Sequence, residues 1–217
     1  MIKLFTWGTP NGNKVLIMLE ELGLQYELVP VNLTKRAQHE PAFVKISPNR
    51  KIPAIVDSDG PDGLPLALAE SGAILIYLGN KTNRLIPQTN SRAYPAVLQW
   101  IMFQMAHVGP TIGQLHHFMS GAPAGNDYAM RRFRDEGNRL LDILDVRLRE
   151  SSHLASAEYT IADICTWPWI RSWVHTTKQQ IGERPSLQRW FSEIEQRPAV
   201  RKAVDTYNHL RASAAAA

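Results

Sequence analysis

Two short segments of this 217-residue chain carry side chains and backbone groups able to do chemistry together: Ile52-Pro53-Ala54 and Glu70-Ser71-Gly72. An isoleucine just before a proline that opens a short apolar strand, Ala54-Ile55-Val56, can turn its own N–H and C=O sideways toward an extended ligand. A cis proline peptide suits that geometry best. The acid-serine pair follows a second strand, Leu66 to Ala69, and precedes an apolar helical run, Ala73 to Leu78, so Ser71 is expected as an N-cap. A helix start offers unpaired N–H groups and a partial positive charge to a carboxylate, while Glu70 suits an ammonium group. The pair would thus hold both charged ends of an amino acid. Taken singly, Pro53 is better read as the start of an edge strand and Ser71 as a plain helix cap; their order and spacing together favour the binding reading.

The elements that must position these residues are legible from periodicity. Lys3 to Thr6 reads as a strand, Lys14 to Leu22 as a helix stopped by Gly23, Tyr26 to Val31 as a strand and Pro41 to Ile46 as a short helix. The two strands flanking Asp59-Gly60-Pro61-Asp62-Gly63 follow, and the helix from Ser71 closes the unit. The order βαβ, α, ββα is that of a thioredoxin-like α/β layer. We assign residues 1–81 to this domain, the polar stretch 82–92 to a linker, and 93–217 to an all-helical second domain. Within the latter, Ala93 to Met105, Asp127 to Arg149, Ile161 to His175 and Leu187 to Gln196 have helical period. The tail from Arg211 to Ala217 is Ala-rich and expected to fray.

Composition excludes several classes of function. Hydrophobic residues at 44% and charged residues at 20% suit a globular core, and no apolar run approaches the roughly 20 residues of a membrane span. The net charge of +4 is mild, and basic and acidic residues interleave along Arg131 to Glu136, which indicates solvated helix faces and no nucleic-acid footprint. Met1 to Phe5 reads directly as a strand with no signal-peptide pattern, so a cytoplasmic location is expected. With Cys165 as the single cysteine, one chain has no internal disulfide and no cysteine-cluster zinc.

Other polar and aromatic clusters read as structural. Thr160-Ile161-Ala162-Asp163 has the form of a capping box. Adjacent His116 and His117 cannot both face one metal from a regular helix, and Trp167, Trp169 and Trp173 suit a helical core. Phe103, His107 and Phe118 are candidates for the wall of an acceptor pocket.

The Ile52-Pro53 and Glu70-Ser71 pairs stand as they do in the glutathione transferases. Together with Thr9-Pro10-Asn11-Gly12-Asn13-Lys14, Ile46 to Pro53, Gly113 to Phe118 and Ile161-Ala162-Asp163, they make the chain resemble the bacterial nu-class transferases from Met1 to about Ala203. Proteins of that class bind glutathione disulfide or two glutathione molecules and reduce small disulfides. The resemblance departs at Leu154-Ala155-Ser156, where the family usually has a glycine in the turn.

It implies that Ile52, beside a cis Pro53, pairs with the cysteinyl unit, and that Glu70 and Ser71 hold the γ-glutamyl end. Gln38 and Lys51 would engage the glycyl end, with Asn49 or Arg50 on the rim, and Arg132 would reach the neighbouring subunit's site in a homodimer. Arg132 could instead pair with Glu136 on its own helix. Thr9 and Asn11 occupy the stretch where transferases handle the glutathione sulfur. With no cysteine there, the reacting sulfur must be the ligand's.

The magnitudes suffice. Lowering a thiol pKa by about two units takes roughly 2.7 kcal/mol. A helix terminus supplies about 0.3–1 kcal/mol and a hydrogen bond to an ion about 1.5–3 kcal/mol. Thr9 and Asn11 are also ordinary cap residues. The implied activity is glutathione-dependent reduction of small disulfides with no metal; conjugation of electrophiles, peroxidase activity and non-catalytic glutathione binding are the alternatives.

Overall fold

Ile2–Thr6 forms β1, with Ile2, Leu4 and Thr6 buried and Lys3 exposed, the alternation of a strand with one face on a core. The chain, here a computed structural model describing residues 1–215, continues through α1 (Pro10–Leu22), β2 (Tyr26–Pro30), α2 (Pro41–Val44), β3 (Ala54–Asp57), β4 (Leu66–Ala69) and α3 (Ser71–Thr82). The strands lie in the order β2-β1-β3-β4. β1 is parallel to β2 and antiparallel to β3, and β3 is antiparallel to β4. This is the expected βαβ, α, ββα thioredoxin-like arrangement.

α1 is the hydrophobic spine of this unit: Val15, Leu16, Ile17, Met18 and Leu19 are all fully buried. Gly23 ends it at φ 67°, a left-handed conformation that favours glycine. The Arg84 guanidinium donates to the Leu22 and Glu21 carbonyls, both at 3.0 Å, satisfying acceptors left over at the helix end.

The second unit, Leu85–Gln196, is helical. α4 (Tyr94–Phe103) runs through a π-helical turn, Gln104–Val108, into α5 (Gly109–Ser120). Helical structure therefore continues past the expected 93–105 run, through Gly109 and Pro110. Pro110 lies in the first turn of α5, where its missing N–H is tolerated, and the wider π turn precedes it. α6 (Asp127–Glu150), α7 (Ile161–His175) and α8 (Pro185–Glu195) complete the unit. Its core holds Trp167, Trp173 and Trp190, all at most 1% exposed, with Trp167 stacked on Phe191 at 5.4 Å.

The capping box at α7 forms as read. Thr160 Oγ1 accepts the Ala162 N–H at 3.3 Å, and Asp163 Oδ2 accepts the Thr160 N–H at 3.0 Å. The other Asp163 oxygen accepts the Leu154 N–H at 3.0 Å and the Trp190 indole N–H at 2.8 Å. That bond, with Arg147 donating to the Leu154 carbonyl at 2.7 Å, holds the turn where the family pattern has glycine. No residue from 151 to 158 has positive φ, so glycine is not required there.

The last helix, α9 (Pro198–Ala215), belongs with the first unit and packs along α1. Arg197 pairs with both Glu21 oxygens at 2.6 and 2.8 Å, and Lys202 with Glu20 at 2.8 Å. Helix through Ala215 corrects the expectation of a frayed tail from Arg211, because Tyr207 and Leu210 are anchored in the unit's core; Ala216 and Ala217 lie outside the described residues. Among the described residues, no helix is long and apolar enough to cross a membrane.

Candidate functional site

Sheet register brings the sequence-predicted residues of the first unit to one end of the sheet. Ala54 opens β3 opposite Phe5 on one side and Ala69 on the other. The exit of β1, the entry of β3 and the exit of β4 thus coincide, and with them Thr9, Ile52-Pro53 and Glu70-Ser71. The exit of β2 joins them, since the Val31 N–H donates to the Thr6 carbonyl at 2.8 Å. Gln38 follows in a single 3₁₀ turn, Ala37–His39.

Thr9 is the N-cap of α1, extended at φ −127°, and its hydroxyl oxygen accepts the Gly12 N–H at 3.3 Å. Pro10 is the first helical residue and carries no N–H; Asn11 follows. No acidic side chain occupies the first turn, so the positive end of the helix is not neutralised locally. Gly12 is required by space: a Cβ there would lie 2.3 Å from Thr6 Oγ1 and 2.7 Å from the Trp7 carbonyl oxygen. Thr9 and Asn11 are both half-buried.

The Ile52–Pro53 peptide is cis. Ile52 is buried in a cluster with Trp7, Val31, Phe43, Ala54 and Leu210, which holds its backbone just beyond the paired register. The preceding loop is tied by the Ser47 hydroxyl donating to the Lys51 carbonyl and the Arg50 N–H donating to the Ser47 carbonyl, each at 2.8 Å. Asn49, Arg50 and Lys51 are exposed.

Glu70 rather than Ser71 is the N-cap of α3, a correction to the sequence reading. Glu70 turns at φ 69° and its carbonyl accepts the Ile74 N–H at 2.9 Å, which makes Ser71 the first helical residue. A positive φ on a residue with a Cβ is strained and is retained where the surroundings over-determine it. Here it turns the chain from β4 into the helix while the Glu70 side chain stays exposed. Ser71 is 3% exposed, and its hydroxyl accepts from Lys14 Nζ at 3.3 Å. Lys14 is fully buried and was missed by the sequence reading. The available signal was a cation at i−3 and i−4 to Ile17 and Met18 on the buried stripe of α1.

Gln38 is half-buried, and its Oε1 is shielded from solvent with no hydrogen-bond partner. A buried acceptor without a donor is costly, so this oxygen suits a ligand N–H.

Arg132 lies on α6 in the other unit. It lines an open cleft of ≈ 860 Å³ with Thr111, Tyr128, Arg131, Glu136 and Arg139. Glu136 is bound by Arg139 at 2.7 and 2.8 Å, and the pairing of Arg132 with Glu136 weighed from sequence is not formed. The Arg139 guanidinium holds the Glu136 carboxyl below its ordinary range. Phe103 stacks obliquely on the exposed His107 at 5.5 Å and Phe118 on Phe133 at 5.6 Å; neither Phe103, His107 nor Phe118 lines this cleft. His116 and His117 are exposed on α5, and among the described residues no three His, Cys, Asp or Glu gather as a metal site. The Cys165 thiol is fully buried and donates to Gln104 Oε1 at 3.1 Å.

Residues 1–80 match the N-terminal domain of glutathione S-transferases, and residues 110–198 match the C-terminal domain. The disulfide-bond oxidoreductase YfcG of Escherichia coli is 45% identical over 208 residues, covering 94% of each chain. A glutathione transferase from Burkholderia graminis, solved with two glutathione molecules per subunit, is 44% identical with a TM-score of 0.88, covering 94% of this chain and 87% of that one. One from Pseudomonas putida, solved with one glutathione disulfide per subunit, is 40% identical with a TM-score of 0.89, covering 93% and 90%. On its motifs, its fold and both matched domains, this chain belongs to the glutathione S-transferase family.

Proposed function

We propose that this protein reduces small disulfides with glutathione, using a sulfur that it binds rather than one of its own. The observation that carries the reading is the convergence of three backbone features at one end of the sheet. These are the N-terminus of α1 at Thr9, the cis Ile52–Pro53 peptide and the Glu70–Ser71 turn. Their spacing suits the sulfur, the cysteinyl backbone and the γ-glutamyl end of one tripeptide. The buried Cys165 is unsuited to exchange.

In this reading residues 1–81 form the glutathione-binding domain and 93–217 the helical domain, joined by the linker 82–92, with the last helix of that sequence, α9, returning to pack on α1 as part of the first compact unit. Ile52 pairs with the cysteinyl backbone, Glu70 takes the ammonium group, Ser71 the α-carboxylate, and Gln38 and Lys51 the glycyl end. The Thr9 hydroxyl, the Asn11 amide and the positive end of α1 stabilise the thiolate. That thiolate attacks one sulfur of the substrate disulfide, forming a mixed disulfide and releasing the other sulfur as a thiolate. A second glutathione thiolate attacks the mixed species and releases the remaining substrate thiol and glutathione disulfide. Two glutathiones are oxidised and one disulfide is reduced to two thiols, which balances electrons. The two bound states seen in the Burkholderia and Pseudomonas relatives correspond to the reduced and oxidised ends of such a cycle.

A homodimer belongs to this proposal, with Arg132 reaching the neighbouring subunit's site, as does a cytoplasmic location, where the glutathione pool is kept reduced. Steady-state reduction of 2-hydroxyethyl disulfide, run in parallel with conjugation of chloronitrobenzene, tests it. Turnover favouring the disulfide is expected. Failure of reduced or oxidised glutathione to give any binding heat with folded protein would overturn it.

A further inference from the structure

The Lys14 ammonium is taken fully out of solvent, and its Nζ lies 3.3 Å from the Ser71 hydroxyl oxygen. Burying a cation in a protein costs several kcal/mol of lost hydration unless polar partners return it. An ammonium group has donors and no acceptor, so in this contact the Ser71 oxygen accepts. The hydroxyl proton is then directed away from Lys14. A hydroxyl whose oxygen is polarised by a cation is a stronger donor than an ordinary serine, since linked hydrogen bonds reinforce one another.

Two further observations point the same way. Ser71 is the first residue of α3 and so sits at the positive end of that helix. Neither α1 nor α3 carries an acidic residue in its first turn to offset this positive charge. The adjacent carboxylate, Glu70, is on an exposed side chain held by the strained turn. The arrangement is a buried cation, a polarised hydroxyl and a helix terminus together, with a solvent-facing carboxylate beside them.

We propose that Lys14 is a positioning residue for the γ-glutamyl α-carboxylate of glutathione, acting through Ser71. The inference rests on the binding mode proposed above. Lys14 does not touch the ligand; it orients the Ser71 hydroxyl as a donor and supplies the counter-charge from beneath. Its contribution is therefore specific for a carboxylate at that position and largely independent of the sulfur chemistry.

The test compares glutathione with 4-aminobutanoyl-cysteinyl-glycine, the same tripeptide lacking the α-carboxylate, in calorimetric binding and in 2-hydroxyethyl disulfide reduction. In Lys14→Met, which fills the same volume, KM and Kd for glutathione are expected to rise about 10- to 100-fold with kcat within about threefold, the scale of a lost charge-assisted hydrogen bond. The analogue should bind weakly to wild type and no more weakly to the variant. Ser71→Ala should show the same loss of discrimination, and the double variant no more than either single one. Equal weakening of glutathione and analogue by Lys14→Met would make Lys14 merely structural and overturn the proposal; so would an unchanged KM. Should Lys14→Met not fold, retained discrimination by Ser71→Ala would overturn it instead. Absence of glutathione binding to the unaltered protein would instead refute the binding mode itself, a result distinct from either.

Discussion

Asp145 on α6 caps a different helix: its Oδ1 accepts the Ser186 N–H at 2.9 Å and the Leu187 N–H at 3.0 Å at the start of α8. Its Oδ2 is bound by Arg149 at 2.7 and 3.0 Å. Burial by itself would raise the pKa of this carboxyl, but the backbone donors and the guanidinium outweigh it and hold the group below its ordinary value. A carboxylate depressed in the fold stabilises fully above its unfolded pKa of about 3.9 and loses that contribution as pH falls through the lower folded value. Thermal stability should therefore fall as the solution is acidified below about pH 4. Asp145→Asn keeps an acceptor for α8 and should flatten this acid limb, while Asp145→Ala should cost about 1–3 kcal/mol at neutral pH. A variant as stable as wild type across the titration would remove the assigned role.

Replacing both Thr9 and Asn11 by alanine removes the two proposed side-chain donors to the sulfur and leaves the dipole of α1. At neutral pH, kcat/KM for disulfide reduction should fall about 100-fold, in line with about 1.5 kcal/mol per donor lost. The pH–rate midpoint should move up toward the roughly 8.5 of a free thiol, so that alkaline conditions restore part of the activity. Unchanged turnover and an unmoved midpoint would take Thr9 and Asn11 out of the chemistry.

Cys165→Ser replaces a buried thiol that donates to Gln104 Oε1 with a hydroxyl that can donate to the same oxygen. Turnover should stay within about twofold, with any change confined to stability. Loss of activity in a variant with normal circular dichroism would mean that the reacting sulfur belongs to the protein.

Gly12→Ala drives a methyl group to 2.3 Å from Thr6 Oγ1 and 2.7 Å from the Trp7 carbonyl oxygen, and the latter is backbone that cannot rotate away. Overpacking of this kind costs about 1–3 kcal/mol. Because the Gly12 N–H also donates to the Thr9 hydroxyl, activity should fall more than the loss of folded fraction accounts for. Equal losses, measured by kcat and by denaturant midpoint, would show that the cap does not position Thr9.

Much of this protein is written locally. The Thr160–Asp163 box, the Gly23 stop, the apolar stripe of α1 and the alternation of β1 depend on bonds or faces a few residues apart, so residue type and spacing are enough. The same holds for the Ile52-Pro53 and Glu70-Ser71 motifs as candidates. That they meet is a matter of register: Phe5, Ala54 and Ala69 are aligned by strand pairing although they are far apart in the chain, which no local pattern specifies. The tertiary structure alone decided that Lys14 is buried against Ser71, 57 positions away, and that Glu70 takes the cap position from Ser71 through a positive φ. It alone decided that α9 returns to α1 through Arg197 and Glu21. A lysine reads as solvent-facing by type, because the cost of burying its charge is offset only by partners brought from elsewhere in the chain.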